Sequence, residues 1–155
     1  MRLKTRLLSA IVLPLGLAGA VVSGASPAQA ATACGDGETR TWPGDIRLAN
    51  SACADETVVA GGFIKVVGKG AFNVRVPQPG SIRTCTSYVL LYVNGIRVDS
   101  NGQSCTTQAR AGVISTNTLP ARNIEATSSV QVRAYFEVNY RETVYPSGLD
   151  VYDTQ

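Results

Sequence analysis

Any chemistry this chain performs has to be done without histidine. The sequence holds none, which removes the Ser-His-Asp triad, the Cys-His pair and imidazole acid–base catalysis. Ser-Lys chemistry needs a lysine, and beyond residue 30 only Lys65 and Lys69 remain. Lys65 alternates within "FIKVV" and is expected to face solvent. A glycosidase pair needs one carboxyl raised by an apolar cleft and a second about 5 to 9.5 Å away. Glu125 and Glu137 qualify by residue type, and Glu137, at i+4 from Arg133, is expected in a solvated ion pair with it. "CGDGETR" offers Asp36 and Glu38 with Asp45 nearby, and "VDSNG" offers Asp99 and Asn101. Neither stretch follows the spaced calcium-binding loop, and both read as turn chemistry. The four cysteines include no Cys-x-x-Cys pair, so the usual zinc and copper ligand sets are missing. No metal and no cofactor is expected.

What remains is binding. Tyr135 falls on the polar face of the best-defined strand beside Arg133 and Gln131, and Trp42, the single tryptophan, sits near the N-terminus. A flat aromatic ring flanked by hydrogen-bonding side chains suits a sugar or a protein partner. Trp42, Arg133 and Tyr135 are therefore the candidate binding residues. Tyr88, Tyr92, Tyr140, Tyr145 and Tyr152 complete the set. The competing reading packs Trp42 onto the body of the fold and leaves the tyrosines rimming the core.

The ends bound the fold that must position these residues. "MRLKTR" places Arg2, Lys4 and Arg6 before the apolar run "LLSAIVLPLGLAGAVV", and "SPAQA" has the small-x-small pattern of signal-peptidase sites. Residues 1–30 are expected to be a secretory leader cut after Ala30, leaving residues 31–155 as one secreted domain. The apolar run is glycine-broken and shorter than the roughly 20 residues of a spanning helix, so no membrane attachment is expected after cleavage. The leader takes three of the 14 basic residues, and 11 basic residues then balance 11 acidic ones. With no Lys/Arg cluster, a nucleic-acid partner is not expected either.

From Thr57 onward the pattern is β, with turn residues about every ten positions. "SSVQVRAYFEVNY" puts Val130, Val132, Ala134, Phe136 and Val138 on one face and Gln131, Arg133, Tyr135, Glu137 and Asn139 on the other. "FNVRV" turns Phe72, Val74 and Val76 inward, and "VPQPGS" ends it. "TVVAGGFIKVV" reads as one strand bulged at Gly61 and Gly62, and "YVLLYV", apolar on both faces, as a central strand. With "AGVIST", "NIEAT", "ETVY" and "LDVYD" there are about eight strands and no helix. That predicts an all-β fold, a two-layer antiparallel β-sandwich of Ig-like architecture. Residues 31–55 read differently, as a loop-rich N-terminal flap with one helical turn near "DIRLAN" capped by Asp45.

An even cysteine count behind a secretory leader reads as two disulfides. In "TSYVLLYVNGIRVDSNGQSCTT", Asn94-Gly95 is the favoured two-residue hairpin turn, because both residues tolerate positive φ. An uninterrupted ladder from that turn sets Cys85 opposite Ser104. One β-bulge on the return strand, expected within "DSNG", brings Cys105 into line. A turn at Ser100-Asn101 would instead strand Cys85, since bonded cysteines need Cα atoms within about 7 Å. Cys85 with Cys105 is the consistent solution, and Cys34 with Cys53 follows by exclusion, the other pairings staying open.

"SACADETVVAGG" and "VLLYVNG" resemble stretches of the secreted subtilisin inhibitors of Streptomyces, which are also two-disulfide proteins. The resemblance implies a protease-directed loop. The cysteine spacings differ from that family, a long β tail follows the fourth cysteine, and "CTSY" lacks the Cys-Pro context of the reactive bond, so no reactive site carries over. The function expected is therefore non-enzymatic binding of an extracellular polysaccharide or surface protein. The alternatives are a protease inhibitor presenting a disulfide-held loop, and a small carboxylate-based hydrolase.

Overall fold

Two period-two patterns, one in each half of the chain, build the two layers. The computed structural model describes residues 31–154. The expected leader and its cleavage point at Ala30 lie outside the described residues. The longest strands are β3 (Ile46–Val59) and β4 (Phe63–Arg75) in one sheet, and β5 (Ile82–Val93) and β9 (Val130–Tyr140) in the other. Every second residue is buried along all of β9 and over residues 46–54 of β3, 66–74 of β4 and 85–91 of β5. Sheet A places β3 and β4 at its centre. One edge is β1 (Ala31–Cys34) and β2 (Glu38–Trp42) in line, and the other is β7 (Ser115–Thr118) with β8 (Arg122–Glu125). Sheet B runs from β10 (Thr143–Pro146) and β11 (Asp150–Asp153), through β9 and β5, to β6 (Ile96–Ser104). Every pairing is antiparallel. The expected two-layer sandwich with two disulfides is what forms.

Between the layers lie Leu48, Ala52, Val66 and Phe72 of sheet A and Val89, Leu91, Val132 and Phe136 of sheet B. Phe72 meets Phe136 edge to face, with centroids 5.5 Å apart. Each of these apart from Ala52 contributes about 1.5–3 kcal/mol by leaving water. Three buried polar side chains also tie the layers together. Asn50 donates to the Ala134 carbonyl at 2.8 Å, and Asp150 accepts from the Ala52 N–H at 2.7 Å. Asn117 donates from its Nδ2 to the Ser87 and Asn101 carbonyls, both at 3.2 Å. No described helix is long and apolar enough to cross a membrane.

Several sequence expectations change. The N-terminal flap is strand rather than loop: β1, β2 and most of β3 occupy residues 31–55. The helical turn at Asp45 does not form. Pro43, Gly44 and Asp45 instead make a hairpin turn that sets Trp42 opposite Ile46, with Asp45 at φ 59. "TVVAGGFIKVV" is a hairpin, not one bulged strand, since Val59 pairs with Phe63 across Gly61 and Gly62. A short helix, α1 (Thr106–Ala111), stands where none was expected, and the strand expected in "AGVIST" starts only at Ser115. The β5–β6 hairpin turns at Asn94-Gly95, with Val93 opposite Ile96. The extra residue is Val98, between Arg97 and Asp99, one position before "DSNG". That bulge brings Cys105 level with Cys85, whose carbonyl accepts the Cys105 N–H at 2.9 Å. The disulfides join Cys85 to Cys105 and Cys34 to Cys53.

Candidate functional site

Among the described residues, the outer face of sheet B carries the one aromatic cluster that faces away from the core. Cys85, Val89 and Leu91 point inward from β5, so Tyr88, Leu90 and Tyr92 point outward. On β9 the same parity turns Gln131, Arg133 and Tyr135 outward. The β5–β9 register sets Tyr88 opposite Tyr135, Leu90 opposite Arg133 and Tyr92 opposite Gln131. All six side chains are half-buried by one another.

Stacking orders the cluster. The Tyr88 and Tyr135 rings lie 4.8 Å apart at 17°, a stacked pair. On β6, Gly102 is the partner of Tyr88, and a Cβ there would come within 3.2 Å of the ring, so glycine lets the tyrosine lie against the backbone. Beyond Tyr135 the edge of the sheet is interrupted, because β10 pairs as far as Glu137 and β11 starts from Ala134. The side of Tyr135 away from Tyr88 thus has no strand neighbour. The Arg133 guanidinium lies 4.3 Å from the Tyr92 ring centroid, and its Nε donates to Gln131 Oε1 at 2.6 Å. Gln131 in turn donates to Asp153 at 3.3 Å. The Asn94-Gly95 turn sets Arg97 opposite Tyr92, ahead of the bulge at Val98. The Tyr135 phenol is pushed above its ordinary value, first by burial, then by Tyr88, Glu137 and Tyr92, while Arg97 pulls the other way.

Such a face can stack on a flat, partly apolar ligand and offer guanidinium, amide and phenol hydrogen bonds around it. Of the three residues proposed from sequence, the structure brings Arg133 and Tyr135 together and separates Trp42. Trp42 lies on the edge of sheet A, packed on the core and edge to face with Tyr145 of β10, with centroids 5.7 Å apart. It closes one side of the sandwich. Tyr88 and Tyr92 join the site instead, through a β5–β9 pairing that no local pattern announces.

The other candidates part company. Glu125 belongs to β8 in sheet A and Glu137 to the outer face of sheet B. The expected Arg133–Glu137 ion pair does not form, because four residues of a strand span about 13 Å and the Arg133 guanidinium turns to Tyr92 and Gln131. Lys65 is exposed, and Lys69 pairs with Asp55. Glu38 pairs with Arg40 and Asp99 with Arg122, and Asn101 donates to Asn117. The two stretches that resemble subtilisin inhibitors fold as β3 with its turn and as β5 with its turn, so they are sheet and hairpin rather than a free loop. Comparison of the chain with protein-family models and with curated proteins finds no match.

Proposed function

We propose that this is a secreted, non-enzymatic binding domain that takes an extracellular polysaccharide on the outer face of sheet B. The observation that carries the reading is the stacked Tyr88–Tyr135 pair beside Arg133 on Tyr92, on a face where the sandwich alone requires no aromatic. A pyranose ring presents a flat patch of C–H groups that packs on a tyrosine, and its hydroxyls need donors and acceptors at the rim. Arg133, Gln131 and Arg97 supply donors, and Glu137 supplies an acceptor. Two disulfides and a leader-like N-terminus support an oxidising, extracellular setting.

Depletion by insoluble polymer tests it. Purified residues 31–155 are mixed with cell wall, chitin or cellulose, and the protein left in solution is measured. Specific loss to one polymer is expected. Tyr135→Ala should weaken it about tenfold, the scale of one stacked aromatic contact. Trp42→Ala, in protein still folded by circular dichroism, should leave it unchanged. Retention in solution with every polymer, or equal weakening by both substitutions, would reject the platform.

A further inference from the structure

At the end of sheet B opposite the Asn94-Gly95 turn, where β5 begins and β9 ends, three arginines border one cleft. Arg83 at the start of β5, Arg110 in the last turn of α1 and Arg141 between β9 and β10 line this cleft of about 420 Å³, with Ser81 and Glu142. Glu142 is the only acid among them, and it pairs with Arg83 at 2.7 Å. The other two arginines are held by neutral groups. Arg110 donates from Nε to the Ile82 carbonyl at 2.8 Å and from Nη2 towards the Arg83 carbonyl at 3.5 Å. Arg141 donates to Gln78 and lies over the Tyr140 ring at 5.3 Å. Both cations are therefore oriented but not neutralised.

The backbone carries a second, independent sign. Arg141 and Glu142 form the two-residue turn from β9 to β10 with φ 47 and φ 70. That left-handed region suits the Asn-Gly pair used at the other end of the sheet and disfavours residues with long side chains. Strain held in a turn that delivers two charges to a cleft points to a role for those charges. We propose that this cleft binds a tetrahedral oxyanion, a phosphate or sulfate group. A planar guanidinium fork offers paired N–H donors to such a group, and three of them outweigh the single carboxylate. The assignment stands apart from the tyrosine face and does not depend on it.

Titration of the protein with inorganic phosphate, inorganic sulfate, sodium acetate and dextran sulfate tests it, by calorimetry and by NMR of the arginine Nε–H signals. Saturable binding of phosphate or sulfate is expected, with the Arg110 and Arg141 signals moving. Saturation by the free ions marks a small-ion site. Saturation by dextran sulfate at much lower sulfate concentration marks a site for groups carried on a polymer. The variant Arg141→Asn keeps Glu142 on Arg83 and places in the turn a residue that tolerates the left-handed region, so it should fold and melt no lower than the parent. The same variant should bind the oxyanion about tenfold more weakly, having lost a charge-assisted contact. No saturation with phosphate, sulfate or dextran sulfate would overturn the proposal, as would equal response to acetate or unchanged affinity in the Arg141→Asn variant.

Discussion

Tyr135 shows what parity can and cannot reveal about a single residue. Alternation along β9 was enough to place Tyr135 and Arg133 on the outer face, because their neighbours Val132, Ala134 and Phe136 are plainly core residues. Their true partners were not legible. Tyr88 and Tyr92 reach them through a pairing between strands almost fifty positions apart, and local pattern carries no information about that. Trp42 follows the competing reading of the sequence: at an edge, next to Tyr145, it packs on the core. The Tyr135 phenol reports the environment directly. Burial, Tyr88 and Glu137 raise it above the ordinary 10.0, and Arg97 lowers it. The neutral phenol is thus favoured in the folded state. The stability it contributes is fully present below the ordinary value and is lost as pH rises through the folded one. NMR titration of labelled tyrosine separates Tyr135 from Tyr152, whose phenol burial and Glu56 also raise. Arg97→Gln should move the Tyr135 midpoint further up and Glu137→Gln should move it down. A midpoint unaffected by both substitutions would mean that neither charge reaches the ring.

At the scale of elements, punctuation was easier to read than composition. Asn94-Gly95 announced its hairpin, and the single bulge needed to align the cysteines exists, displaced by one residue because Val98 rather than the polar run takes the extra position. The strand β3 was hidden by its own residues. Ala49, Asn50, Ser51, Ala52 and Ala54 have little β-propensity, yet four buried positions from Leu48 to Ala54 keep a strict period of two. Helix α1 spans only six residues before Gly112 ends it at φ 67, too short for a helical period to declare itself. What joins the two sheets besides apolar contact is equally invisible in sequence, and Asn117 is the plainest case. At 1% exposure it donates to carbonyls on β5 and β6 and accepts from Asn101 at 2.8 Å. Asn117→Ala would leave the Ser87 and Asn101 carbonyls without this donor, a destabilisation of about 2 kcal/mol. Urea unfolding should show it as a lower midpoint with an unchanged slope. A loss under about 0.5 kcal/mol, the scale of ordinary surface changes, would mean that water replaces the amide without penalty.

Across the whole molecule, charge is balanced in number but not in place. Every acidic residue and 11 of the 14 basic ones lie within residues 31–154, so there is no net field to draw a charged polymer from a distance. Yet three of those cations gather at one end of sheet B around one acid, while the tyrosine face lies further along the same two strands. The two proposed sites should therefore answer differently to salt. Stacking of a neutral sugar on Tyr135 depends on contact and desolvation, which ions scarcely screen. An oxyanion between Arg83, Arg110 and Arg141 depends on charge at an exposed cleft, where the screening length falls from about 10 Å at 0.1 M to about 3 Å at 1 M salt. Raising sodium chloride over that range should leave retention by the favoured polymer within about twofold and weaken phosphate binding by about tenfold or more. If both fall together, polymer retention runs through the arginine cleft, and Tyr135→Ala would then leave retention intact while Arg141→Asn weakens it. If neither falls, the arginines do not act as a charge site. The same buffer series thus decides whether the sheet face and its charged end are two binding sites or one.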